Sequence, residues 1–314
     1  MPEHRAPSPR RARRRLLATL AVPAIALGGV LGATAAGGGT TPTSTAALST
    51  TEDTAAAARP AAATSSAAAP STSVDSAAVL AAVDAAAAAA GGTISVVALD
   101  GSGTELVASA DAGTTHYTAS LVKLLVVQQL LARDAAGTLT LDADDLALME
   151  RAVEASDDDA MSTLWVRFDG DELVTAAAAE FGLTGTAAPD TAGQWGESTT
   201  TAQDYATFLA GLGKHLSAAD LATLVAWMQS TTGTAADGFD QDFGLLSADA
   251  GATGDVAAKQ GWMCCVDATR QLHSAAVLSD GSVVVLLGEF SSGTSWAQAR
   301  AALDAAAAAA LSGT

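Results

Sequence analysis

Between Asp111 and Arg133 the chain carries one formally charged side chain, Lys123, and it sits inside a strongly apolar run, residues 116–131 (HYTASLVKLLVVQQLL). A run of that length predicts a helix around which other elements pack. A lysine within it costs several kcal/mol unless it is paired or gives up its proton. Residues three apart share a helix face, so Ser120 and Lys123 are expected side by side, with the serine near the helix start and the lysine a turn deeper. Ser-x-x-Lys is an arrangement in which a lysine amine activates a serine nucleophile. Four residues make a weak pattern, since a core lysine that snorkels to the surface reads the same way. The cation usage sharpens it. The chain has three lysines, Lys123, Lys214 and Lys259, against twelve arginines. Arginine cannot lose its proton on desolvation and lysine can.

The amino terminus has a different character. Arg5, Arg10, Arg11, Arg13, Arg14 and Arg15 form a basic head, followed by an uncharged stretch to Ala36. That layout predicts a signal peptide over 1–36, with small residues at 33–36 for cleavage. The stretch is also long enough to stay as an uncleaved membrane anchor, and Arg13-Arg14 resembles a twin-arginine signal. No cysteine follows it before Cys264, which leaves a lipoprotein-type anchor without its attachment residue. Residues 37–75 are Ala, Thr, Ser, Pro and Gly with few charges, a composition that cannot offset its own ordering entropy and predicts a disordered linker. Residues 76–314 are then one generous domain.

Six of the 15 basic and one of the 34 acidic residues precede Gly37, leaving 9 bases against 33 acids. So acidic a surface repels phosphate backbones and anionic lipid, which argues against a nucleic-acid partner. Cys264 and Cys265 are neighbours; they close no long loop, and a reduced or buried pair is the plainer expectation.

Along 76–314 the patterning predicts a helix ending at Gly91-Gly92, strands at 93–99 and 105–108, and the Ser120 helix. A helical block follows at 142–155, 159–168, 172–181, after Thr201 and after Ser217. Strands at 256–262, 271–278 and 282–290 and a helix at 295–311 complete it. Strands from both ends can form one antiparallel sheet flanked by the terminal helices, with the helical block as a second lobe and a cleft between the two.

Three short motifs stand in order along this framework: Ser120-Leu-Val-Lys123, Ser156-Asp157-Asp158 at a helix boundary, and Lys259-Gln260-Gly261-Trp262 on the first strand after the helical block. In these the chain resembles the penicillin-recognising serine hydrolases, above all the class A β-lactamases and their secreted actinobacterial relatives, whose motifs are S-x-x-K, S-D-N and K-T-G. The resemblance covers roughly residues 76–314 and includes TTTAQDYATFL at 199–209. It implies an α+β, β-lactamase/D,D-peptidase-like fold with a five-stranded antiparallel sheet, terminal helices and a helical lobe. It also implies acyl transfer from a β-lactam or D-alanyl peptide. Ser120 is the implied nucleophile, with Lys123 as its base and Ser156 as the proton shuttle to the leaving nitrogen. Lys259 adds positive charge beside Ser156, and the N–H groups of Ser120 and Trp262 form the oxyanion hole. Asp158, Gln260 and Gly261 line the substrate, with Gln260 standing where a hydroxyl contacts the substrate carboxylate.

Two departures bear on the chemistry. Asp158 replaces an asparagine; an ionised carboxylate only accepts hydrogen bonds, and it favours the protonated form of a neighbouring lysine. The deacylating glutamate motif E-x-x-L-N is missing from 182–198, where Glu197 is the only glutamate. The expectation is therefore an exported, monomeric serine hydrolase needing no cofactor or metal, secreted or held outside the membrane through its amino terminus. The alternative is a catalytically impaired binding protein of the cell wall or of β-lactams. The histidines at 4, 116, 215 and 273 lack ligand spacing. Trp195 and Trp262 are candidates to line the cleft, while Trp165, Trp227 and Trp296 read as packing residues.

Overall fold

The computed structural model describes residues 75–252 and 255–312. The expected leader over 1–36 and all of the expected linker but Asp75 lie outside the described residues. Asp75 caps helix α1 (Ser76–Ala89), its carboxylate accepting from the Ala78 N–H at 3.1 Å. The chain turns through Gly91-Gly92 into β1 (Gly92–Leu99) and β2 (Glu105–Ala108), and then a two-residue strand, β3 (His116–Tyr117). A single 3-10 turn at Ala119–Leu121 leads into α2 (Val122–Ala135). The helical block continues as α3 (Ala143–Glu154), α4 (Asp158–Phe168) and α5 (Gly170–Phe181). A second short strand, β4 (Thr199–Thr200), precedes α6 (Ala202–His215) and α7 (Ala218–Gln229). The chain closes with β5 (Ala257–Val266), β6 (Thr269–Val277), β7 (Val283–Ser291) and α8 (Trp296–Leu311).

The five long strands form one antiparallel sheet in the order β2-β1-β7-β6-β5, so strands from the two ends of the chain meet at the β1–β7 pair. Both faces are covered, which explains why the strands read as continuous apolar runs and not as half-polar ones. Ile94, Val96, Ala98, Val284 and Leu286 face α1 and α8. Val97, Leu99, Val283, Val285 and Leu287 face the helical block. The core of that block is α2, buried on every side from Val122 to Leu131, as its uninterrupted apolar sequence requires. β5 is left as an edge strand beside the 3-10 turn that opens α2, so half of its amides are unpaired in the sheet. β3 and β4 pair with each other, His116 opposite Thr200, and tie the start of α2 to the segment before α6. Among the described residues no helix is long and apolar enough to cross a membrane.

The cysteine expectation is corrected. Cys264 and Cys265 are joined to each other in a disulfide at the exposed tip of the β5–β6 hairpin. Being adjacent in sequence, they close only their own small ring, and they are neither reduced nor buried.

Candidate active site

Ser120 lies in the 3-10 turn that opens α2, and the turn is pinned from several sides. The Thr118 N–H donates to the Ser198 carbonyl at 2.7 Å, and the Leu121 N–H to the Thr118 carbonyl at 3.0 Å. The buried Tyr205 hydroxyl of α6 donates to the Leu121 carbonyl at 3.0 Å. His273 of β6 stands 2.8 Å from the Tyr117 carbonyl through Nε2, which carries the proton in that contact. Burial holds His273 neutral, with its pKa pushed down to about 3. Ala119, just before the serine, has φ 46°, in the left-handed region. Strained backbone of this kind persists only where its surroundings over-determine it.

Lys123 points from α2 into the space below Ser120 and is fully buried. Its Nζ lies 2.8 Å from Ser120 Oγ, 2.6 Å from the Ser156 carbonyl, 3.3 Å from Ser156 Oγ and 2.7 Å from Asp158 Oδ1. The Ser156 carbonyl and an ionised Asp158 can only accept. A neutral amine has two N–H groups for these two acceptors and one lone pair left, which at 2.8 Å can accept from the Ser120 hydroxyl. That is the arrangement a general base needs. Burial lowers the pKa of Lys123, against the opposing pull of Asp158, Asp157 and Asp237. The ring of Trp195 covers the amine, with its centroid 4.9 Å from Nζ, and the Trp195 indole donates to Ser162 Oγ at 3.2 Å.

Ser156 sits in the turn between α3 and α4, also with positive φ (50°). Asp157 follows as the cap of α4, accepting from the Ala160 N–H at 2.9 Å and ion-paired with Arg151. The run of acids at 157–159 is thus relieved by an arginine and a lysine. On the other side, Lys259 of β5 donates to Ser156 Oγ at 2.9 Å and to the Gln260 carbonyl at 2.9 Å. It too is fully buried, and its pKa lies well below the ordinary lysine value, first through burial and then through Lys123. Ser156 Oγ therefore bridges two buried amines. Ser120, Lys123, Ser156, Asp158 and Lys259, read from three separate motifs, form one hydrogen-bonded cluster.

Solved structures share this architecture. A β-lactamase from Chitinophaga pinensis matches with a TM-score of 0.60 at 18% identity, covering 72% of this chain and 96% of that one. A β-lactamase from Burkholderia phymatum matches at 0.59 with 19% identity over 76% and 98%. A provisionally assigned class A β-lactamase, PenP, from Rhodopseudomonas palustris matches at 0.58 with 18% identity over 75% and 98%. The fold is that of the class A β-lactamases. At the sequence level the provisionally named lipoprotein LppW of Mycobacterium tuberculosis is 34% identical over 192 residues, 59% of each chain, and its Mycobacterium bovis counterpart gives the same values. The chain spans 59% of the length of these curated relatives. No family model matches.

Within this β-lactamase-like fold one expected contact fails. Gln260 does not face the cleft. Successive side chains of a strand point to opposite faces; Lys259 faces the helical block, so Gln260 faces the other side, toward the 241–243 segment. It is fully buried there, with its amide donating to the Gln241 carbonyl at 3.1 Å and the Phe243 carbonyl at 2.5 Å. Gly261 returns to the cleft face behind the nucleophile turn. A Cβ at this position would stand 3.2 Å from the Thr118 carbonyl and 3.3 Å from Leu121 Cγ. Trp262 turns its ring away, stacked on Phe239 at 4.6 Å between centroids, and leaves its backbone on the edge strand. Its indole N–H donates to Asp237 Oδ2 at 3.0 Å. Asp237 was not legible as a site residue, because its loop carries no motif. His273 gave only the signal of a polar residue inside an apolar strand.

Proposed function

We propose that this protein is an exported serine acyl-transfer enzyme in which Ser120 forms an acyl-enzyme with carbonyl substrates of the β-lactam or D-alanyl-peptide type. The observation that carries the reading is the hydrogen-bond set of Lys123: two acceptor-only partners and, 2.8 Å away, the Ser120 hydroxyl. In the neutral state the amine takes the Ser120 proton as Oγ attacks. The N–H groups of Ser120 and Trp262, one at the helix start and one on the edge strand, are the donors proposed for the oxyanion. The collapse of the tetrahedral intermediate needs a proton on the departing nitrogen. Ser156 Oγ, bridged between Lys123 and Lys259, supplies it and is reprotonated from the amines. Asp158 stands at the mouth of this cluster, its side chain 59% exposed.

A second reading, a binding protein that acylates and then holds its ligand, is favoured by one observation. An aromatic ring, Trp195, covers Lys123 on the side of the 182–198 segment, the segment that lacks the glutamate motif for deacylation. Both readings share the acylation step and differ in the fate of the acyl-enzyme. The name of the mycobacterial relative, a lipoprotein, agrees with a place outside the cytoplasmic membrane. Here the basic and apolar amino terminus is the proposed means of export or anchorage.

The test is intact-mass spectrometry of the protein after prolonged incubation with a penicillin, alongside Ser120→Ala. The expected result is an adduct of the drug's mass on the native protein and none on the variant. Persistence of the adduct selects the binding protein, and its disappearance with drug turnover selects the hydrolase. An adduct of equal yield on Ser120→Ala would remove Ser120 as the nucleophile.

A further inference from the structure

The N–H contacts of the two lysines and of the Gln260 amide are all made within the protein. Lys123 gives its N–H groups to the Ser156 carbonyl and Asp158, and Lys259 gives its own to Ser156 Oγ and the Gln260 carbonyl. Both amines are fully buried, so neither Nζ reaches the cleft surface. The Gln260 amide is turned to the far face and used there. What the cleft does expose beside Ser156 is carboxylate. The loop after α7 is joined to the Ser156 turn by Thr232 N–H donating to the Glu154 carbonyl at 3.0 Å and Ala236 N–H to the Ala155 carbonyl at 2.8 Å. It carries the exposed Asp237 to the edge strand, where the Trp262 indole donates to one of its oxygens and its charge acts on Lys123. Asp158 flanks the same serine from α4. The charges acting on the two amines come from Asp158, Asp157, Asp237 and the amines themselves, with no arginine among them.

Ser156 marks the leaving-group side of a substrate attacked by Ser120. We propose that the acyl donor carries a neutral or cationic group on that side, and not a carboxylate, with Asp158 and Asp237 as the residues that set the preference. This rests on the acyl-transfer reading above and narrows it to amidated, esterified or basic leaving groups. A carboxylate placed there meets two like charges and finds no lysine or glutamine N–H turned toward it, whereas an ammonium finds two opposite charges.

The charge is isolated by three acetyl esters that differ in the phenol they release: one neutral, one bearing a carboxylate, one bearing a quaternary ammonium. Acetyl transfer in the full-length protein is followed by intact mass and by phenol release, with Ser120→Ala as the reference for background. The expected order is ammonium, then neutral, then carboxylate, with the outer two separated by about tenfold or more at low ionic strength. Asp237→Asn keeps an oxygen for the Trp262 indole and should narrow that gap by about threefold or more; Asp158→Asn should act in the same direction. Equal or faster transfer from the carboxylate ester overturns the preference. A gap unchanged in both variants overturns its assignment to these residues. No Ser120-dependent transfer from any ester removes the nucleophile itself, and the preference with it, which is a different outcome from a reversed charge order.

Discussion

A lysine amine serves as a base only while it lacks its third proton, and two influences act on Lys123 in opposite directions. Burial disfavours the charged form and is the larger; Asp158, 2.7 Å away, favours it. Removing the acid while keeping its shape should tip the balance further toward the neutral amine. Asp158→Asn is therefore expected to preserve the acylation rate at neutral pH or to raise it several-fold, read by single-turnover mass spectrometry. A drop of more than about tenfold would instead show that the carboxylate positions the amine. The residue-scale reading of the sequence reached Ser120, Lys123, Ser156 and Lys259 because lysine is rare in this chain and each lies in a spaced motif. It could not reach Asp237, whose loop is brought to the Ser156 turn by backbone hydrogen bonds between residues distant in sequence.

At the scale of elements, the cluster depends on β5 running close behind the turn that holds Ser120. Gly261 is a point of close approach, since a methyl group there would press on the Thr118 carbonyl, Leu121 and His273 at 3.2–3.4 Å. Gly261→Ala should shift the edge strand by a few tenths of an ångström and lower the acylation rate by about tenfold, while moving the melting temperature little. Equal losses of rate and of stability would mean that the glycine serves packing alone. Strand alternation also explains the Gln260 misreading. The motif places two functional side chains in consecutive positions, and a strand cannot aim both at one face without further help from the backbone. The helix and strand positions themselves were legible, because apolar runs, caps such as Asp142 and Thr201, and the turns at Gly91 and Gly281 mark them. The short β3–β4 pair was not, since two residues carry no period.

Across the whole molecule, two buried amines are a charge on stability that the fold carries for the sake of its site. The folded pKa of Lys259 lies well below its unfolded value of 10.5, so in the window between them the unfolded chain binds more protons. Stability should then rise with pH across that window, by about 1.4 kcal/mol per unit from this group. Lys259→Met removes the contribution. The variant is expected to melt several degrees above the native protein at pH 7, at about 2–4 °C per kcal/mol, and the difference should shrink as pH approaches 10. A difference that stays constant or grows with pH would show that Lys259 is not held neutral. The two-lobed architecture followed from the order of elements, since strands at both ends of a chain that encloses a helical block must meet in one sheet.

The proposed activation of Ser120 by a buried Lys123 in its neutral form is tested most directly by the pH dependence of Ser120 acylation, measured by single-turnover mass spectrometry in the native protein and in Asp158→Asn. The expected profile rises with pH through a single break below 10.5, the ordinary lysine value, and in Asp158→Asn the break moves to lower pH. A profile with no break below 10.5, or one unmoved by the substitution, would contradict the assignment of Lys123 as the base.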